Sequence, residues 1–364
     1  GPVVFTNTAT QFKNPRRLVF NRPDDYVFTN TVISVVTDGS AVQDQGALRH
    51  MGPGVLTLAG NISYPGTTTI DPGMTLIVGT GGTSGSIGTG EVVNDGFFVV
   101  NKSSDTTIPG TISGSGSLVK MGTGILTLGG NGTYFGETTV SNGTLFINNN
   151  HAASQVLVYG GTLGGTGTIS GPVTTEVGTK LAAGASPTSI GTLTFNNFLS
   201  INGDVAVKVN RSLAQSNDVF VVNGGVFKTG GGTLTVANLG PDLVVGDKFY
   251  LFSQPVSGAA AFTITGGDAT WQNNLEVDGS ITATSVTPSI NKNPPVVQVS
   301  VSGNVLSLAW PTNRGWTLQT NSVGIAASSQ WFPYPGSETI TNVNFTVDPT
   351  RTNVFFRMVY TNTP

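Results

Sequence analysis

The chain contains no cysteine. Disulfides, thiolate chemistry and Cys-ligated metal sites are therefore excluded. Charge is scarce as well: Asp, Glu, Lys and Arg make up 10% of the 364 residues, with a net charge of −3. No Lys/Arg-rich face is visible that could neutralise phosphates, which argues against nucleic acid. The one basic cluster, Lys13 with Arg16 and Arg17, reads as solvated charge near a terminus. No apolar run approaches the ~20 residues of a membrane-spanning helix. Only two histidines occur, His50 and His151. Neither has a partner at ligand spacing, so no metal site is expected, and both read as surface residues. Helix-like spelling is missing from the body of the chain, where glycine recurs every few residues and β-branched Thr, Val and Ile fill the gaps.

What is present is a repeated phrase. ISGSGSLVKMGTGILTLGGNGTYFGETTVSNGTLFIN, residues 112–148, reads as short strands at 117–120, 125–128 and 138–147, the last broken at Asn142-Gly143. Seventy residues earlier, GPGVLTLAGNISYPGTTTI aligns without a gap on GTGILTLGGNGTYFGETTV. Gly-x-Gly, Leu-Thr-Leu, Gly-Asn, Tyr, Gly and Thr-Thr all match, which marks an internal repeat, and the offset suggests a few coils per full repeat. Alternation in Leu56/Leu58, Leu126/Leu128 and Leu234/Val236 sends one set of side chains inward and the intervening Thr outward. Tyr64 and Tyr134 recur at one register and read as corner packing. Runs such as Gly79-Thr-Gly-Gly-Thr precede no helix and carry no Gly-Lys-Ser/Thr ending, so they are corners and not phosphate loops.

The two ends differ from this body. Residues 3–41 carry more charge and less glycine, with strands expected at 18–20, 26–30 and 32–36. They read as a cap over the first open sheet edge, or as an arm that adds a strand to a neighbouring molecule. Beyond a linker ending in Pro294-Pro295 the aromatics become denser. Strands are expected at 296–301, 305–310, 317–320, 329–333, 343–347 and 353–359, a small antiparallel sandwich.

The phrase GxGxLTLxGNxxYxGxTTVxxGTL resembles the autotransporter-associated β-strand repeat of bacterial surface and secreted proteins. The resemblance covers roughly residues 48–286 and implies a parallel β-solenoid exported from a Gram-negative cell, extracellular or on the cell surface. No barrel-length region follows, so export by a route other than self-translocation is expected. The final module, through LSLAWP, GWTLQTN and VFFRMV, resembles a carboxy-terminal module of large secreted proteins of the Verrucomicrobia and Planctomycetes type.

The combined reading is all-β: a right-handed parallel β-solenoid (β-helix) with an N-terminal β arm or cap and a small C-terminal antiparallel β-sandwich. The divisions are 1–45 for the arm, 46–286 for the solenoid with repeats at 52–78 and 122–148, 287–295 for the linker and 296–364 for the sandwich. The 19 acidic residues are scattered, so no carboxylate pair for hydrolysis stands out. No catalytic residue, cofactor or metal is expected, and the chain is not read as an enzyme. The leading functional reading is a secreted structural subunit that self-assembles into a filament or surface layer through its two ends. The contact candidates are Leu18, Phe20, Tyr26, Phe28, Val32, Val36, Trp316, Trp331 and Tyr334. The second reading is a surface adhesin or a glycan-binding stalk. The expected partners are copies of the chain itself, with surface glycans as the second class.

Overall fold

The computed structural model describes residues 3–6, 10–13, 17–20, 26–29, 33–36, 47–51, 53–287, 295–310, 316–326, 328–337, 340–348 and 354–360. The chain divides into two units, Gly1–Val286 and Thr287–Pro364.

The first unit is a parallel β-solenoid with three faces per coil. The first face is an 11-stranded sheet running from Val3–Thr6 through Tyr26–Thr29, Val55–Leu58 and Thr75–Val78 to Val226–Lys228. The second carries a three-stranded sheet that ends at Ile62–Ser63, then an eight-stranded sheet from Thr106–Ile108 to Phe262–Gly266. The third carries a five-stranded sheet ending at Ile112–Ser113 and a four-stranded sheet from Asn150–His151 to Val219–Val222. Gly132 bridges Ile112 on one side and His151 on the other, so this face is continuous. On the second face the coil through residues 79–91 has no strand before Val92–Asn94. Its glycines form a loop, and the Ser86 hydroxyl pairs with Ile62 N and O at 2.5 and 2.6 Å.

Sequence alternation becomes the core directly. In Val55–Leu58 and Ile125–Leu128 the two Leu are buried and the first and third residues half-buried. Stacking in register then builds an inward column of Leu56, Leu76, Phe98 and Leu118, each 0% exposed. Burying each such side chain contributes about 1.5–3 kcal/mol. Successive rungs are 17 residues apart at Val156↔Val173 and 27 at Leu199↔Val226. Coil length is thus variable, while the inward phase is kept.

This variability changes the meaning of the 70-residue repeat. Val55–Leu58 lies in the 11-stranded sheet, whereas its counterpart Ile125–Leu128 lies in the eight-stranded sheet. The second copy arises three coils and one further face along the stack, not after a whole number of coils. Each of its elements is turned by one face relative to the first.

The N-terminal strands enter the same ladders. Val3–Thr6 pairs parallel with Tyr26–Thr29, and that strand with Val55–Leu58. Arg17–Phe20 pairs parallel with Ala47–His50. The pairing of residues 3–36 is thus that of further coils. A different closure stands at the other end. Lys248–Tyr250, Ser280–Val286 and Ala269–Asn274 form an antiparallel sheet. A short helix, Leu275–Asp278, precedes Gly279, whose φ of 75° ends it.

The second unit consists of two three-stranded antiparallel sheets: Gln298–Ser302, Val305–Ala309 and Asn342–Thr346 in one, Phe332–Pro333, Trp316–Asn321 and Phe355–Tyr360 in the other. Leu308, Trp310, Leu318 and Val343 are the buried centre between them. The expected strand at 329–333 is a 3-10 turn at Ser328–Gln330 followed by Phe332–Pro333.

Candidate functional site

The buried tyrosines, histidines and several lysines of the solenoid are tied to corners. The tyrosine of each repeat is buried, Tyr64 at 2% and Tyr134 at 0% exposure. The Tyr64 hydroxyl bonds the Thr68 hydroxyl at 2.6 Å, and Tyr134 repeats the contact with Thr138 at 2.6 Å. Thr68 and Thr138 therefore point inward, unlike the Thr between the paired Leu residues, because a buried phenol needs a partner. Burial pushes the Tyr64 phenol up to about 12 and raises that of Tyr134 as well.

His50 and His151, read as surface residues, are both buried. Each alternates in phase with inward apolar neighbours of its coil or ladder, and that phase carries it inside. His50 Nε2 contacts Gly54 O at 2.7 Å. His151 Nε2 shares a hydrogen bond with the Tyr134 hydroxyl, and the two rings meet edge-on with centroids 4.7 Å apart. Its Nδ1 has no hydrogen-bond partner. It lies against Gly132, where a Cβ would come within 2.3 Å of that nitrogen. Burial pushes the His151 imidazole down to about 4.

Lysines also turn inward. Lys120 Nζ donates to Met121 O, Gly122 O and Asn142 O at 2.6, 2.8 and 3.1 Å. Burial pushes that amine down to about 8, with the Asp105 charge acting against the shift. Lys228 Nζ donates to Thr229 O, Gly230 O and Gly231 O at 2.9, 3.1 and 2.7 Å. Lys208 Nζ lies 2.8 Å from Asp218 Oδ2, and Asp218 also accepts Gly191 N and Lys208 N. Each ammonium is spent on backbone carbonyls or one carboxylate inside the wall. These groups hold corners. Among the described residues no group of three or more His, Cys, Asp or Glu is placed to hold a metal.

Of the candidates for contact between copies, Leu18, Phe20, Tyr26, Phe28 and Val36 lie on strands of the first two coils. Val32 is outside the described residues. In the second unit Trp316 is 9% exposed and so mostly interior. Arg357 lies over the Trp331 ring at 4.3 Å and bonds Gln319 Oε1 through Nε and Nη2 at 3.0 and 2.8 Å. Tyr334 packs edge-on against Phe345 at 5.2 Å. All three aromatics are engaged within their own unit.

Sequence reasoning missed the inward basic residues. A signal was available: Leu48-x-His50, Leu118-x-Lys120 and Val226-x-Lys228 each put the basic residue in phase with a buried apolar one, just before a glycine-rich corner.

A three-faced stack whose buried polar groups secure corners is the setting of a repeat similar to that of autotransporter passengers. The passenger-associated-transport-repeat matches at residues 51–78 and 118–146, the two copies described above. A curated relative, the adhesin BmaC autotransporter of Brucella suis biovar 1 (strain 1330), is 45% identical over 83 residues. That match covers 22% of this chain and 2% of the relative, so the chain spans a small fraction of its length.

Proposed function

We propose that this chain is a length of non-enzymatic stalk in a Gram-negative surface or secreted adhesin. The observation that carries the reading is the passenger repeat itself, built into a parallel stack whose apolar core continues through an antiparallel closure to Ile281. The similarity to a protein named as an adhesin supports a surface role, and the internal use of Lys, His and Asp supports a structural one. The test is binding of the purified chain to intact host cells and to a glycan array. Retained binding is the expected result. Turnover of a polysaccharide, or no binding to any surface, would overturn the reading.

A second reading, assembly into a filament through the ends, has one observation in its favour. Val3–Thr6, Thr10–Lys13 and Arg17–Phe20 are each the terminal strand of their sheet, paired on one side among the described residues. Parallel edges of this kind accept a further strand. Negative-stain microscopy of concentrated protein checks it: filaments that vanish when residues 1–40 are removed support assembly by the ends, and single particles at every concentration refute it.

A further inference from the structure

The three outer faces of the solenoid are not alike. On the eight-stranded sheet the outward column reads Thr107, Thr127, Phe146, Gly164, Ala182 and Ala206, and Phe146 is itself 4% exposed. The third face presents Arg49, Thr69, Val93 and Ser113. The 11-stranded sheet presents Thr57, Ile77, Val99, Val119, Thr139, Leu157, Thr174, Ser200 and Phe227 in one outward column, apolar through its middle and at its end. Beside it stand Phe97, Met121, Tyr159 and Phe198, which are 51, 40, 57 and 42% exposed, and Phe227 at its end is 47% exposed. Between residues 53 and 212, every large apolar side chain among the strongly exposed lies on this face or at a corner beside it. From Val55–Leu58 to Val226–Lys228, no outward residue within its strands is charged.

We infer that this outer face is a lateral docking surface for a second copy of the chain. Alternation would ordinarily make the solvent side of a strand polar; the third face largely follows that rule, and the eight-stranded face departs from it only with small residues and the buried Phe146. Contiguous apolar surface beyond a few hundred Å² marks an interaction site. Size decides for a second copy. Strands ~4.8 Å apart and ~3.3 Å per residue give the nine strands about 520 Å² per copy, or about 1,050 Å² in a face-to-face pair, which clears the ~1,000 Å² of a specific, reversible interface. An uncharged face can meet its own copy without like-charge repulsion. Contact is sheet against sheet about a two-fold axis, which closes as a dimer and leaves the ends of the stack free. The inference goes beyond adhesion: it concerns pairing of stalks along their length, whatever the stalk binds.

Sedimentation equilibrium of the 364-residue chain tests this. A reversible dimer is expected at concentrations up to about 100 µM, where a micromolar Kd is fully expressed. The substitutions Phe97→Asp, Tyr159→Asp and Phe227→Asp should each raise that Kd at least tenfold. Thr127→Asp and Thr235→Asp, on the eight-stranded face, should leave it unchanged. Far-UV circular dichroism and urea midpoints confirm that each variant is folded, and all five side chains are partly or well exposed. A chain that stays monomeric, or a dimer indifferent to the three face substitutions, overturns the inference. Loss of surface binding with the dimer intact would count against the adhesin reading alone.

Discussion

The two copies of the repeat share a spelling and not a setting. Residue 50 in the first corresponds to residue 120 in the second: Arg49-His50-Met51-Gly52 against Val119-Lys120-Met121-Gly122. Both put a buried basic side chain ahead of a glycine corner, where the His50 ring contacts Gly54 O and the Lys120 ammonium donates to three carbonyls. Tyr64 and Tyr134 each hold an inward Thr, but only Tyr134 also meets a histidine from the next coil. Because the second copy is turned by one face, the same residues pack against a different part of the next coil. What the repeat dictates is its internal chemistry. What surrounds it is set by the length of the coils between copies.

The largest effect should come from His151. An unfolded chain takes up a proton near its ordinary value of about 6.5, whereas the folded imidazole stays neutral until about 4. Its folded-state value is depressed, so its contribution is fully present above pH 6.5 and is lost as the pH falls toward 4. The difference corresponds to about 3 kcal/mol. Urea midpoints across that window should fall more steeply in the native chain than in His151→Gln. Parallel curves would show that the ring is not the titrating group. A smaller effect separates the tyrosines. Tyr134→Phe leaves both the His151 ring and the Thr138 hydroxyl without a buried partner, and should cost about 2 kcal/mol. Tyr64→Phe removes the contacts with the Thr68 hydroxyl and the Gly88 backbone but strands no histidine, and should cost less, about 1 kcal/mol. Equal losses in thermal unfolding would mean that the different surroundings carry no energetic weight.

Much of this was legible beforehand, for a physical reason. Period-2 alternation and glycine corners are local, so Val55–Leu58, Ile125–Leu128 and the break at Asn142-Gly143 follow from the residues themselves. The antiparallel module at the carboxy end was visible in its denser aromatics and alternating strands. Three things were not visible. Coil length varies, so a 70-residue offset does not reveal which face a copy occupies. Scarce charge invites the reading that each charge is solvated, which hid Lys120, Lys208 and Lys228 although the first and last sit in phase with buried Leu118 and Val226. His151 belongs to a two-residue strand after an Asn run, too short to show alternation, and Gly132 makes room for its ring only once the coils are stacked.

The smallest effect, and the sharpest test of the comparison, lies at residue 120. Its neighbours in the inward column are Val100 on one coil and Val140 on the next, so the position is apolar by register. An aliphatic side chain would fill the space and relieve the cost of burying an ammonium. Against that gain stand Met121 O, Gly122 O and Asn142 O, each of which would lose a donor inside the wall. Three orphaned carbonyls outweigh one desolvated amine, so Lys120→Met should destabilise the stack by about 1 kcal/mol, read as a lower urea midpoint. If Lys120→Met were instead stabilising, the lysine would be tolerated by its corner rather than required by it, and the two copies would differ only in how they carry a buried base.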